Sequence, residues 1–228
     1  MSSPISVQIF SDVQCPWCYI GKRKFEAAVA EFDGQVDVVY RSFELAPDTP
    51  VDYEGSTVDY LSERKGLPVD QVHQMLDRVT RIAANVGLEY DFEHVHQTNT
   101  VLAHELLHFA KANGLQLELK ERLLRAYFVE GRHVGRAEEL ADLAAEVGLD
   151  RDAAAESLAD HRYLADVKAD MAQAVAYGIQ GVPFFVIDDR YGISGAQEPE
   201  AFLGALRQAA AERSGESTGA EVDAGRGA

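Results

Sequence analysis

The chain has 228 residues, 46% of them hydrophobic, enough for a sizeable core in one large domain or in a small domain carrying an insertion. Its 21 basic and 38 acidic residues leave a formal charge of −17, which argues against nucleic acid or an anionic membrane as a partner. No apolar run approaches the ~20 residues of a membrane span. Met1-Ser2-Ser3-Pro4 has neither the basic nor the apolar region of a secretory signal, so a cytoplasmic protein is expected.

Ile5-Ser6-Val7-Gln8-Ile9-Phe10 alternates as a strand does, and a helix-like run follows from Tyr19 to Phe32. Beyond Gly34, Val36 to Phe43 is rich in β-branched and aromatic residues and reads as a second strand, parallel to the first through a right-handed crossover. Pro47, Pro50 and Gly55 mark an exit loop. From there to Tyr177 the pattern is helical. Asp59 to Lys65, the stripe Val72, Met75, Leu76, Val79, Ile82 and Val86, Val101 to Asn113, Leu119 to Val129, Ala137 to Val147, Arg151 to Leu158 and Tyr163 to Tyr177 predict serial helices punctuated by glycines. Strand signals return at Val182 to Ile187 and, after the turn Asp188-Asp189-Arg190, at Tyr191 to Gly195. A helix from Pro199 to Ala211 follows, with Phe202, Leu203 and Leu206 on its core face. The chain therefore divides into a first sheet half (1–55), a helical insertion (56–177), a second sheet half (178–212) and a tail (213–228) whose Gly/Ser/Ala/Glu composition predicts disorder.

Cys15-Pro16-Trp17-Cys18 sits where the first strand meets the first helix, and these are the only cysteines. A strand that delivers C-x-x-C to a helix start is a redox arrangement. With Cys15 as the cap and Pro16 in the first helical position, the proline gives up only an N–H that would have had no partner. The free N–H groups of the first turn and the positive helix end then favour a thiolate on Cys15, with a pKa below the reference of about 8.5. Cys15 is accordingly expected to be the exposed nucleophile, and Cys18, one turn inside, the shielded resolving thiol. Lys22, Arg23 and Lys24 lie about two turns further along, too far for a strong effect through solvent. Asp12 opposes ionisation.

Four stretches carry a resemblance to a known family: Ser11 to Gly21 around the cysteines, Thr98-Asn99-Thr100 leading into a helix, Gly181-Val182-Pro183-Phe184-Phe185, and Gly192 to Gln197. Over residues 4–212 the chain resembles the DsbA-like branch of the thioredoxin superfamily, and most closely the FrnE-type cytosolic thiol–disulfide oxidoreductases. The resemblance implies an α/β thioredoxin fold with a large all-helical insertion. It also implies a cis Val182-Pro183 peptide packed against the C-x-x-C, and substrate or active-site support from Pro16, Trp17, Val182, Pro183 and Asn99. An extended substrate segment would pair beside Val182 as an added strand. Apart from the Cys15–Cys18 disulfide no cofactor is expected. The partners would be thiol- or disulfide-bearing proteins or small molecules, glutathione among them as a redox partner. Relatives in the periplasm carry a secretory signal and commonly a His between the cysteines. Trp17 in that place stabilises a thiolate less, so a less oxidising couple is expected. The kappa-class glutathione transferases and related isomerases have Ser at the position of Cys15, and the cysteine pair argues against that activity.

One motif points elsewhere. His104-Glu105-Leu106-Leu107-His108 is a literal H-E-x-x-H on a predicted helix, the spacing with which zinc peptidases hold their metal. The extended pattern fails, with Lys111 and Gly114 where Gly and His belong, although Glu121, Glu130 or Glu138 could serve as a further ligand. Leu102, Leu106, Leu107, Phe109 and Ala110 form the predicted core face, which leaves both histidines toward the polar side, solvated or between domains. A peptide-binding module without chemistry is a third reading, in which the cysteines would be incidental.

Overall fold

The computed structural model of the protein describes residues 3–222, and the tail beyond them lies outside the described residues. Strand β1 (Ile5–Ser11), helix α1 (Pro16–Ala30) and strand β2 (Val36–Ser42) form the β-α-β unit, with β1 and β2 parallel and Ile5 opposite Val36. Seven helices follow: α2 (Thr57–Lys65), α3 (Val69–Ala84), α4 (Val101–Ala112), α5 (Gln116–Phe128), α6 (Ala137–Glu146), α7 (Arg151–Ala159) and α8 (Leu164–Ala176). The chain then returns as β3 (Phe184–Ile187), β4 (Tyr191–Ser194) and α9 (Pro199–Val222). The sheet order is β2-β1-β3-β4, with β3 antiparallel to both β1 and β4. This is the α/β thioredoxin architecture with a helical segment between β2 and β3.

Alternation along β1 divides the molecule into layers. Ile5, Val7 and Ile9 pack with Phe25, Phe185, Phe202 and Leu206 between the sheet, α1 and α9, each contributing about 1.5–3 kcal/mol when fully buried. Phe10 faces the other way, into a small cluster with Ala174, Ile179 and Val186 beneath α8. The third core is helical and reaches into the β-α-β unit by taking Val13, Tyr19 and Ile20. Helix α1 is therefore the seam: its first turns belong to the helical core, and its later residues Phe25 and Ala28 to the sheet core.

Local signals explain the boundaries. Helix α2 starts earlier than its apolar spacing predicts because Ser56 and Asp59 close a capping box, with the Asp59 N–H donating to Ser56 Oγ at 3.1 Å. Asp188 and Asp189 both take positive φ, 56° and 53°, which makes the two-residue turn between β3 and β4. The outer edge of β2 is covered by α5, where the Gln116 amide accepts from Tyr40 N and donates to Tyr40 O, both at 3.0 Å. Helix α9 runs through Val222 rather than stopping near Ala211, which corrects the expected tail boundary. A long-range contact supports the extension: Arg213 binds the Asp188 carboxylate and the carbonyls of Ser3 and Pro4.

Candidate active site

The fold builds the site at the start of α1. Cys15 caps the helix in an extended conformation (φ −88°, ψ 111°) with Pro16 in the first turn, as the spacing predicts. Cys18 N–H donates to Cys15 O at 3.0 Å, and the Pro16 carbonyl accepts from the Tyr90 hydroxyl at 2.6 Å, which pins the dipeptide to the helical segment. The Val182-Pro183 peptide is cis. Cys15 Sγ donates to Val182 O at 3.4 Å. Gly21 allows the close approach from below: a Cβ there would sit 3.0 Å from Pro183 Cγ and 3.4 Å from Ala196 Cβ.

Two expectations about the thiols are corrected. Both cysteines are buried, at 3% exposure each, so exposure does not separate them. What separates them is the cavity described below, which Cys15 lines and Cys18 does not. The expected lowering of the Cys15 pKa is not found either. Burial, then Cys18, push the Cys15 thiol well above its ordinary value. For Cys18 burial acts in the same direction but is outweighed by the Cys15 S–H and by Lys120, so that its pKa is lowered. The pair is best described as one dithiol that holds a shared proton and resists losing the second.

Lys120 is the functional residue that the sequence reading missed. It is fully buried on α5, its Nζ has no hydrogen-bond partner among the described residues, and it lies 5.3 Å from the Tyr40 ring centre. Burial lowers its pKa, while the nearby sulfurs and Asp12 oppose that effect. The signal was there: Lys120 falls on the same stripe as Leu123, Leu124 and Tyr127, all buried. Asp12 is the counter-charge. Burial would raise its pKa, but His104, the Leu45 N–H at 2.8 Å and Lys120 hold the carboxyl below its usual range.

The histidines do not lie on a polar face. His104, Glu105 and His108 are all buried, because α4 is enclosed by α5, α6, α7 and α8 rather than packed along one stripe. Each has its own partner. His104 Nε2 lies 3.4 Å from Asp12 Oδ1, His161 Nδ1 lies 2.8 Å from Glu105 Oε1, and His108 Nε2 lies 3.1 Å from Asp170 Oδ2. No group of three or more His, Cys, Asp or Glu among the described residues is placed to hold a metal ion. Nor does the basic run of α1 reach the thiols: Lys22 and Arg23 pair with Glu26 and Glu121, and Lys24 pairs with Glu198.

A cavity of about 640 Å³ opens beside Cys15, with Pro16, Trp17 and Val182 at that end. Tyr60, Leu76, Val79, Phe92 and Phe128 from the helical segment form its apolar wall. The structure thus brings Cys15, Pro16, Trp17 and Val182 together, and places Pro183 behind Val182 against α1. Asn99 is not brought to the cavity. Its side chain accepts from Val101 N and donates to Pro47 O, both at 2.9 Å, fastening the start of α4 to the loop after β2. Gln97, two residues earlier, lines the cavity instead and accepts from the Tyr127 hydroxyl at 3.3 Å.

Comparison with known proteins agrees with this geometry. The family model of the DSBA-like thioredoxin domain matches residues 6–207. A probable DsbA oxidoreductase of Streptomyces coelicolor, solved by crystallography, superposes with a TM-score of 0.86 at 40% identity over 91% of both chains. The uncharacterized protein YwbO of Bacillus subtilis is 32% identical over 206 residues, 89% of this chain and 96% of that protein. The cytosolic disulfide reductase DsbM of Pseudomonas aeruginosa shares the fold, with a TM-score of 0.62 at 21% identity over 89% of this chain and 97% of that one. A family match over nearly all of the folded chain, with a C-x-x-C at the start of its first helix, leads to one assignment: the chain belongs to the DSBA-like thioredoxin family and is an enzyme of the thiol–disulfide oxidoreductase type.

Proposed function

We propose that the protein exchanges disulfides through Cys15 and Cys18, with Cys15 as the attacking thiol and Cys18 as the resolving one. The observation that carries the assignment of roles is access: Cys15 lines the cavity and Cys18 does not. Proton transfer from Cys15 to Cys18 within the dithiol places the thiolate on the accessible sulfur without a third residue. Cys15 then attacks a substrate disulfide, its sulfur–sulfur bond breaks, and one substrate thiolate leaves. Cys18 attacks the Cys15 sulfur of the mixed disulfide, releases the second substrate thiol and closes the Cys15–Cys18 disulfide, a two-electron transfer that runs backwards when the protein is the oxidant.

The buried Lys120 favours a thiolate on Cys18, whereas Asp12 opposes one on Cys15. We take the direction to be that of a reductase or isomerase in the cytoplasm. DsbM, named as a cytosolic disulfide reductase and also solved with GSH, offers a parallel in the same fold. The test is covalent trapping. Cys18→Ser incubated with a disulfide-bearing peptide or glutathione disulfide should accumulate a mixed disulfide visible by intact mass, and Cys15→Ser should not. The reverse pattern would reassign the nucleophile, and adducts on neither variant would favour a binding module without chemistry.

A further inference from the structure

The cavity beside Cys15 has a charge pattern opposite to that of the molecule. The chain carries 38 acidic residues against 21 basic ones, yet no Asp or Glu among the described residues lines the cavity, whereas Arg64, Lys65 and Arg78 do. Arg64 is already committed, paired with Asp48 and lying over the Tyr60 ring. Lys65, at the end of α2, and Arg78, on α3, are different. Both are exposed, and neither has an ion-pair partner among the described residues, in a protein where most arginines are paired. Unpaired cations on an apolar wall of aromatic and aliphatic side chains form a receptor for one kind of ligand, with an apolar body and an anionic group. The volume, about 640 Å³, is that of a small-molecule site.

We infer that the cavity selects low-molecular-weight disulfides that carry an anionic group on an apolar body, binding the anion at Lys65 and Arg78 while a sulfur meets Cys15. This rests on the disulfide-exchange reading and names the substrate class for it. Besides the three cations, the polar side chains of the lining, among them Gln14, Thr57, Gln97 and two tyrosines, carry no negative charge that would repel an anion. An extended peptide would instead lie along the open side near Val182 and would have no need of cations on α2 and α3. In the reaction Cys15 takes one half of the small disulfide, the other half leaves as its thiolate, and Cys18 displaces the first half as a second thiol. Two electrons pass from the dithiol to the substrate, which leaves the Cys15–Cys18 disulfide.

The experiment uses the full chain carrying Cys18→Ser, so that reaction stops at the Cys15 mixed disulfide. Two aromatic disulfides serve as probes: dithiobis(2-nitrobenzoate), which is anionic, and 4,4′-dithiodipyridine, which is neutral at pH 7.5. Rates are measured in single turnover from the released thiol. The anionic probe should show saturation with concentration. In the Lys65→Gln/Arg78→Gln double variant the ratio of the anionic to the neutral rate should fall about tenfold, the scale of local electrostatic selection. Lys168→Gln/Arg207→Gln makes the same change in net charge on exposed positions of α8 and α9, outside the cavity, and should leave the ratio within about twofold. An unchanged ratio in the cavity variant, or an equal fall in the control, overturns the inference while leaving disulfide exchange standing. Failure of Cys15 to react with either probe overturns the exchange reading itself.

Discussion

Replacing Glu121 by Gln tests how firmly the helix that carries the cysteines is held to the helical segment. Glu121 accepts from the Tyr19 hydroxyl at 2.6 Å and from Arg23 Nη2 at 2.5 Å, and lies 2.6 Å from Lys22 Nζ, all three partners being on α1. Burial would raise the pKa of its carboxyl, but these partners outweigh it and bring it from 4.5 to about 2. At about 1.36 kcal/mol per pKa unit the difference is about 3.4 kcal/mol, a ceiling for an isolated group. The side chain keeps 32% of its exposure, so solvent screening cuts the expected loss to about 1.5–2 kcal/mol, or about 3–8 °C in Tm for a chain of this size. Glutamine preserves an acceptor for Tyr19, and the loss therefore reports charge. A depressed folded pKa gives stability that is complete above the unfolded value of 4.5 and disappears as pH falls through about 2. The gap between wild type and variant should accordingly be flat from pH 7 to pH 5.5 and shrink to about 60% at pH 3.5. Urea denaturation across that range measures it. A gap below about 0.5 kcal/mol at pH 7, or one that does not narrow with acid, would refute the reasoning.

Three further perturbations follow from the geometry. Lys120→Met removes the buried cation beneath the thiols, and should raise the first thiolate midpoint, followed by absorbance at 240 nm, and lower the reduction potential by about 15–30 mV; an unchanged potential would detach Lys120 from the chemistry. Asp170→Ala leaves His108, Ser42 N–H and Arg41 without their carboxylate and should cost about 3 kcal/mol in urea denaturation, whereas a loss below about 1 kcal/mol would mean that the pairs are dispensable. Gly21→Val places a branched side chain against Pro183 Cγ, which a Cβ alone would meet at 3.0 Å. It should cost about 1–3 kcal/mol and slow exchange with peptide disulfides, and a variant with wild-type stability and rate would show that the contact yields freely.

Period-2 alternation in β1, the β-branched run of β2 and the glycine-punctuated helices were legible because each is set by neighbours in sequence. So was the cap of α1, since Pro16 can occupy a first turn and no later position without loss. What was illegible depends on enclosure. The α4 sequence reads as half-polar, and only the surrounding helices turn His104, Glu105 and His108 into buried members of separate pairs. The same limit explains Cys15: the dipole argument treats the helix end as solvated, whereas burial dominates the thiol in the folded chain, where Val182 O lies against it. The resemblance implies active-site support from Asn99, whereas its side chain fastens the start of α4 to the loop after β2, away from the cavity.

After burial and the two cysteines' effect on each other, the charges that act on the pair are Lys120 of the helical segment and Asp12 at the end of β1. Asp12 follows β1, but its partners His104 and Lys120 stand on α4 and α5. The cation that lowers the Cys18 pKa is again Lys120, and the hydroxyl held by the Pro16 carbonyl is that of Tyr90, between α3 and α4. Without these helices, Val13, Tyr19 and Ile20 would lose the core they pack into. Asp12 would then stand beside the thiols with neither His104 nor Lys120 to offset it, and a bare carboxylate there would oppose the thiolate rather than balance it. In the proposed exchange the helical segment therefore enters twice: Lys120 of α5 acts on the Cys18 thiol, and α2 and α3 contribute the apolar wall of the cavity that Cys15 lines.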